Sequence, residues 1–253
     1  MCRFAGPAAG GHHGRVRTLL KPKWIAGHLL AVVVVVTFAN LGLWQLRRHD
    51  WRAERNDRIA QGLAREPAPF ASLPEGERAY RPVTVSGRYR PDADVLLTPR
   101  NELGPGHHVL TPLLLDDGTA LLVDRGWVPF RHATPPVPGA AAAAGPVRLE
   151  GVLLPAAEAL PQGVREGGRL VRVRAVDPDA VLDAVLGGQA RAVEDVFLLL
   201  REQQPPPGPL PVPGPVPEQD AGPHLSYAIQ WFLFAAVVVA GYPLLLRRAA
   251  EGV

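Results

Sequence analysis

Two long apolar runs, one near each end of the chain, constrain its fold more than any other feature. From Leu225 to Leu246 no residue is charged, and about 22 residues at roughly 1.5 Å rise make a helix close to the hydrocarbon thickness of a bilayer. A second run begins at Trp24, passes through five consecutive valines at 32–36 and ends at Leu46. Its core is too long for a secretory signal, and Asn40-Leu41-Gly42-Leu43-Trp44-Gln45 makes a poor cleavage site, so it reads as an uncleaved anchor. The residues between the runs are polar enough to form one domain of ordinary size.

The expected fold class is therefore a membrane protein: two transmembrane α-helices, both ends cytoplasmic, flanking a β-rich α+β domain outside the membrane. The expected divisions are a basic tail over 1–23, the first span over 24–46, the domain over 47–204, a proline-rich linker over 205–223, the second span over 224–246 and a short tail over 247–253. Five basic residues precede the first span and five closely follow it, so its flanks do not orient it. The second span does, because Glu218 and Asp220 stand at its entry and Arg247 and Arg248 at its exit; positive flanks stay inside.

A net charge of +3, with basic residues spread along the chain, argues against a nucleic-acid partner. Cys2 is the only cysteine, which excludes a disulfide framework, a CxxC pair and a thiolate zinc site. With Met1 the only methionine, a copper-handling role lacks its soft ligands. His12, His13 and Cys2 fall in what reads as a flexible tail, and His28 in an interfacial position.

Alternation at Val83, Val85, Gly87 and Tyr89 predicts a half-buried strand. Further strands are predicted at His108–Leu115, Leu121–Val128, Val147–Leu154, Leu170–Val176 and Val193–Leu200, with Asp116-Asp117-Gly118 as a hairpin turn. A helix is predicted over Asp179–Leu186, with Asp177 or Asp179 near its N-cap and Gly187-Gly188 beyond it. The stretch after the first span, Arg47–Ala64, has helical character. Thr134–Pro146 reads as an exposed loop and Pro205–Pro217 as an extended spacer.

Catalytic signatures are missing. None of the three serines, Ser72, Ser86 and Ser226, sits in a Gly-x-Ser-x-Gly elbow, and no HExxH spacing joins His49, His107, His108 and His132. In a strand His107 and His108 point to opposite faces. Leu121–Pro129 delivers Asp124, Arg125, Gly126 and Trp127 to a strand end. Those four residues read equally well as a structural Arg–Asp pair with a packing Trp, or as a membrane-proximal Arg125 that meets acidic groups on a ligand or protein.

His224, Tyr227 and Trp231 fall at i, i+3 and i+7, so one face of the second span's outer half is polar and aromatic. A belt of interfacial residues is one reading. Ligand chemistry is the other, because a neutral imidazole is the form that ligates haem iron and Trp44 with Gln45 of the first span lies at the same membrane boundary.

The blocks Leu41-Gly42-x-Trp44-Gln45-x-x-Arg48, Val83-x-Val85-x-Gly87, Gly106-His107-His108-Val109-Leu110-Thr111-Pro112-Leu113, Leu122–Pro129, Gly151 and Pro223-His224-Leu225-x-Tyr227-Ala228-x-Gln230-Trp231-Phe232 follow in order between two spans. In this the chain resembles the Surfeit locus protein one family, the membrane-anchored assembly factors of haem-copper cytochrome c oxidase. The resemblance implies a non-enzymatic factor in the bacterial plasma membrane that assists haem a delivery to oxidase subunit I, with haem a synthase as a further candidate partner. It implies His224 as the haem iron ligand, with Tyr227, Trp231, Trp44 and Gln45 around the haem, and Gly42, Arg48, Arg125, Gly126 and Trp127 as partner or structural positions. A scaffold that stabilises subunit I without binding haem is the alternative, and a copper-handling protein the remoter one.

Overall fold

The computed structural model describes residues 22–156, 163–193, 195–217 and 219–251. The expected tail over 1–23, with Cys2, His12 and His13, lies outside these residues apart from Pro22 and Lys23, as does Glu218. The chain divides into two compact units, one comprising the terminal stretches through Asn56 and from Asp220, the other Asp57–Gln219.

The first unit is helical. Helix α1 runs Pro22–Leu63, 42 residues without a break, so the helical character read after Leu46 continues the same helix. The C-terminal helix is His224–Glu251 and carries Arg247 and Arg248 within its last turns. Both are long and apolar enough to cross a membrane. Their outward faces are apolar, with Val33 59% and Val237 68% exposed. Where the helices touch, small residues permit close approach: Ala228 is fully buried, and a methyl group on Gly42 would lie 2.7 Å from the Phe232 ring. Phe38 packs on Trp231 and Phe234, with ring centroids 5.5 and 5.7 Å apart.

The second unit is one ten-stranded sheet with little helix. In chain order its strands are β1 (Ala68–Pro69), β2 (Pro82–Tyr89), β3 (Val95–Arg100), β4 (Gly106–Leu114), β5 (Thr119–Pro129), β6 (Pro146–Pro155), β7 (Gly163–Glu166), β8 (Arg169–Val173), β9 (Arg191–Ala192) and β10 (Val196–Gln204). They lie in the order β1-β2-β6-β10-β5-β4-β3-β8-β7, with β9 beside β5. Because β4 also pairs with β2, through Arg88↔Leu114 and Tyr89↔Leu113, strands β2, β6, β10, β5 and β4 close into a small barrel. Alternating residues of these strands, Val83, Val85, Leu113, Leu121, Val123, Leu149 and Leu198, fill it.

The β4–β5 hairpin turns at Gly118, whose φ of 83° is open to a residue without a side chain. Helix α2, Pro178–Leu186, is capped by the Asp177 carboxylate accepting from Ala180 N and ended by Gly187 in the left-handed region; its apolar side covers a second cluster with Leu97, Leu110 and Leu122. The C-terminal helix is accordingly α3.

Two segments read from composition as exposed or extended are in fact docked. Within 134–146, Val137 and Ala140 are buried, joining Leu96, Val109 and Val128. Within 205–217, Val212 exchanges two backbone hydrogen bonds with Trp127, at 2.7 and 2.9 Å, Arg201 donates to Gly214 O at 2.8 Å, and Leu210 packs on the cluster under 134–146. Proline removes donors from such a segment, but a single paired residue flanked by apolar contacts is enough to hold it as a strap.

Candidate functional site

Helix α1 carries Gly42, Gln45, Arg48 and Arg52 at successive three- and four-residue steps, which places them along one stripe. The turn into α3 begins where Gly222 N donates to the Asp220 carboxylate at 2.7 Å. Gly222 has a φ of 67°, which reverses the chain and sends Pro223 into the first turn of the helix, with Tyr227 N donating to Pro223 O. His224 is thereby presented to the Gln45 turn of α1.

The imidazole Nδ1 of His224 lies 2.8 Å from Gln45 Oε1. With the amide oxygen accepting, the Nδ1 proton is held and the lone pair resides on Nε2. That nitrogen is shielded from solvent and has no hydrogen-bond partner. A buried nitrogen that has been oriented but not satisfied is the pattern of an imidazole prepared for a ligand, since a neighbour on the far nitrogen fixes tautomer and ring plane. Gly222 adds space beside it: a methyl group there would lie 3.3 Å from His224 Cδ2 and 3.5 Å from Nε2.

The other residues read as belonging to this face are divided by the structure. Trp231 sits below His224 and packs edge-on against Phe234, with centroids 5.9 Å apart. Trp44 and Tyr227 are 56% and 48% exposed, and among the described residues neither side chain makes a ring contact or hydrogen bond. Arg48 lies over the Trp51 ring at 4.5 Å. At the opposite end of the same pair of helices His28 Nδ1 meets Tyr242 OH at 2.8 Å.

Asp124, Arg125, Gly126 and Trp127 of β5 are assembled differently from either sequence reading. Arg125 is 1% exposed. It donates to Ala140 O at 2.9 Å and Ala141 O at 3.0 Å and stands over the Tyr89 ring; burial lowers its pKa, opposed by the charges of Asp94 and Tyr89. It therefore ties the 134–146 loop to the barrel, and a role in meeting acidic groups at a surface is corrected to a buried one. Asp124 pairs with His108 Nδ1 at 2.7 Å and accepts from Gly126 N at 3.0 Å, so the expected Arg–Asp pair does not form. Gly126, at φ 119°, leaves room for the Val212 carbonyl, and Trp127 Nε1 donates to Gly104 O at 3.1 Å.

Two buried polar pairs carried no sequence signal. One is His108 with Asp124, with Glu102 3.6 Å from His108 Nε2. The other is Thr111 Oγ1 donating to Asp94 at 2.6 Å, where burial pushes the Asp94 carboxyl up to about 6, partly offset by that hydrogen bond. His107 stacks on Phe130 at 4.9 Å, away from His108. Among the described residues no three His, Cys, Asp or Glu side chains are gathered as a metal site would require.

Residues 32–236 match the family model described as the SURF1 family. An uncharacterised SURF1-like protein of Mycobacterium bovis is 33% identical over 245 residues, covering 90% of this chain and 84% of the relative. A SURF1-like protein of Monosiga brevicollis is 29% identical over 241 residues, 88% of each. Surfeit locus protein 1 of Xenopus tropicalis is 29% identical over 150 residues, 52% of this chain and 47% of the relative.

Proposed function

Because the chain belongs to the SURF1 family, we propose that it is a membrane-bound assembly factor for haem-copper cytochrome c oxidase, holding haem a as cargo for insertion into subunit I. The observation that carries the haem reading is His224, whose Nδ1 is held by Gln45 while Nε2 is left without a partner. In this reading Nε2 would ligate the iron while Gln45 fixes the imidazole, and Trp231 together with the exposed Trp44 and Tyr227 would supply aromatic surface for the porphyrin. The haem supplies the redox-active iron that the oxidase needs, and this chain's residues bind and orient it.

Both helices cross the membrane in this reading, with Arg247 and Arg248 holding the C-terminus in the cytoplasm and the barrel domain outside. The apolar, exposed outer faces of α1 and α3 support it, since surface of this kind belongs against lipid. The factor is non-enzymatic, its partners being subunit I and, upstream, haem a synthase.

The test is the visible spectrum of the full chain purified from cells that make haem a. The wild type is expected to carry haem a and His224→Ala to lose it. A protein colourless with and without haem a synthesis would favour the scaffold reading, and unchanged occupancy in His224→Ala would remove His224 as the ligand.

A further inference from the structure

We propose that Arg52 is the residue that binds a propionate carboxylate of the haem held by His224, an inference that rests on the haem reading above. A methyl group on Gly222 would lie 3.1 Å from Arg52 Nη1 and 3.5 Å from His224 Nε2, so a guanidinium and the free imidazole nitrogen border the same small volume. Gly222 has no side chain to fill it.

A porphyrin of this kind is a flat, apolar body with two carboxylates on one edge. A site for it needs an iron ligand, apolar walls and a cation within reach of that edge. His224 would supply the first, and the aromatic cluster of Phe38, Trp231 and Phe234, which begins two turns along α3 from His224, would supply the second. For the third, the Gln45 stripe of α1 offers two arginines. Arg48 is laid over Trp51, whereas among the described residues Arg52 has no carboxylate partner. Arg52 lies seven residues beyond Gln45, about 10 Å along the helix, a span comparable with the reach from a porphyrin's iron to its propionate oxygens. A guanidinium presents a planar fork of donors that matches a carboxylate, and its flexible stem lets it swing from beside Nε2 to the porphyrin edge as the iron arrives.

An arginine at a membrane boundary could equally meet a lipid phosphate, so the experiment separates the two anions. Ferric haem with free propionates and its dimethyl ester, which has none, are titrated into the detergent-purified full chain, as wild type, Arg52→Gln and His224→Ala. We expect Arg52→Gln to bind the free acid about tenfold more weakly than wild type with the Soret position unchanged, the wild type to lose a similar factor on esterification, and Arg52→Gln to lose nothing further. Equal binding of the free acid by wild type and Arg52→Gln, or an undiminished penalty for the ester in Arg52→Gln, would overturn the assignment. A Soret band and affinity unaffected by His224→Ala would instead remove the haem reading itself, whatever Arg52 does.

Discussion

Gln45 Oε1 stands 2.8 Å from His224 Nδ1, joining two residues 179 positions apart. This contact decides which imidazole nitrogen is available: it holds Nδ1 and leaves Nε2 without a hydrogen-bond partner.

Gln45→Leu is expected to keep the helices packed but to free the imidazole to rotate and change tautomer. Support of this kind is worth about 10- to 100-fold in ligand affinity. Titration of haem should show a loss in that range for Gln45→Leu and little loss for Gln45→Glu, which retains the acceptor. Wild-type affinity in Gln45→Leu would mean that the amide does not position the ring.

Gly42→Ala places a methyl group 2.7 Å from the Phe232 ring, and overpacking of this kind costs about 1–3 kcal/mol. The double variant Gly42→Ala/Phe232→Ala should recover part of that loss, because the two sites are in contact. Thermal unfolding of the purified protein measures both. Additive losses would show that the helices accommodate the methyl group elsewhere.

Asp94 gives the barrel a pH dependence with a definite sign. Its folded pKa, about 6, lies above the ordinary 3.8, so the folded state binds the proton more tightly than the unfolded one. The cost of the buried carboxylate is fully present above about pH 6 and is relieved as pH falls toward 4. Burial lowers the His107 pKa, which works in the opposite direction below pH 6.5, so the signal is the difference from Asp94→Asn. Relative to that variant, the wild type should gain about 2 kcal/mol between pH 7.5 and 4.5, read by denaturant unfolding. Parallel profiles would show that Asp94 titrates normally.

Gly126→Ala forces a side chain into a φ of 119° and against the Val212 carbonyl. Strain of this kind is worth about 1–3 kcal/mol, and its local outcome is release of the 205–217 strap. Limited proteolysis should cut that segment faster in Gly126→Ala than in wild type; equal rates would mean the strap is held by its other contacts.

The strands that alternate between core and solvent were legible because period-two patterning reports a half-buried sheet directly. Strand β3 was not, since Val95-Leu96-Leu97 is buried on both faces and Pro99 follows. The composition of 205–217 indicates an extended backbone but carries no sign of docking, because the groove that receives it is created by the missing side chain of Gly126. Sequence could place Gln45 and His224 at one boundary of two apolar runs, yet which nitrogen the amide holds depends on helix rotation. His108 and Asp124 are brought together on paired strands by a bulge after His108, an irregularity with no pattern in the residues themselves. Sequence left Arg125 open between a structural and a surface role for a related reason: a charge at a strand end is seen to be buried only with the loop whose carbonyls surround it.

That burial of Arg125 has a consequence for inactivating substitutions in Leu121–Pro129. Changes there strike the attachment of a loop and a strap to the barrel, so they act through how much folded protein survives cellular quality control. On the haem reading proposed above, substitutions at His224, Gln45 or Arg52 are expected to alter occupancy more than the amount of protein. Immunoblotting beside spectroscopy therefore sorts loss-of-function alleles of this chain into two classes, and only the second would respond to an increased supply of haem.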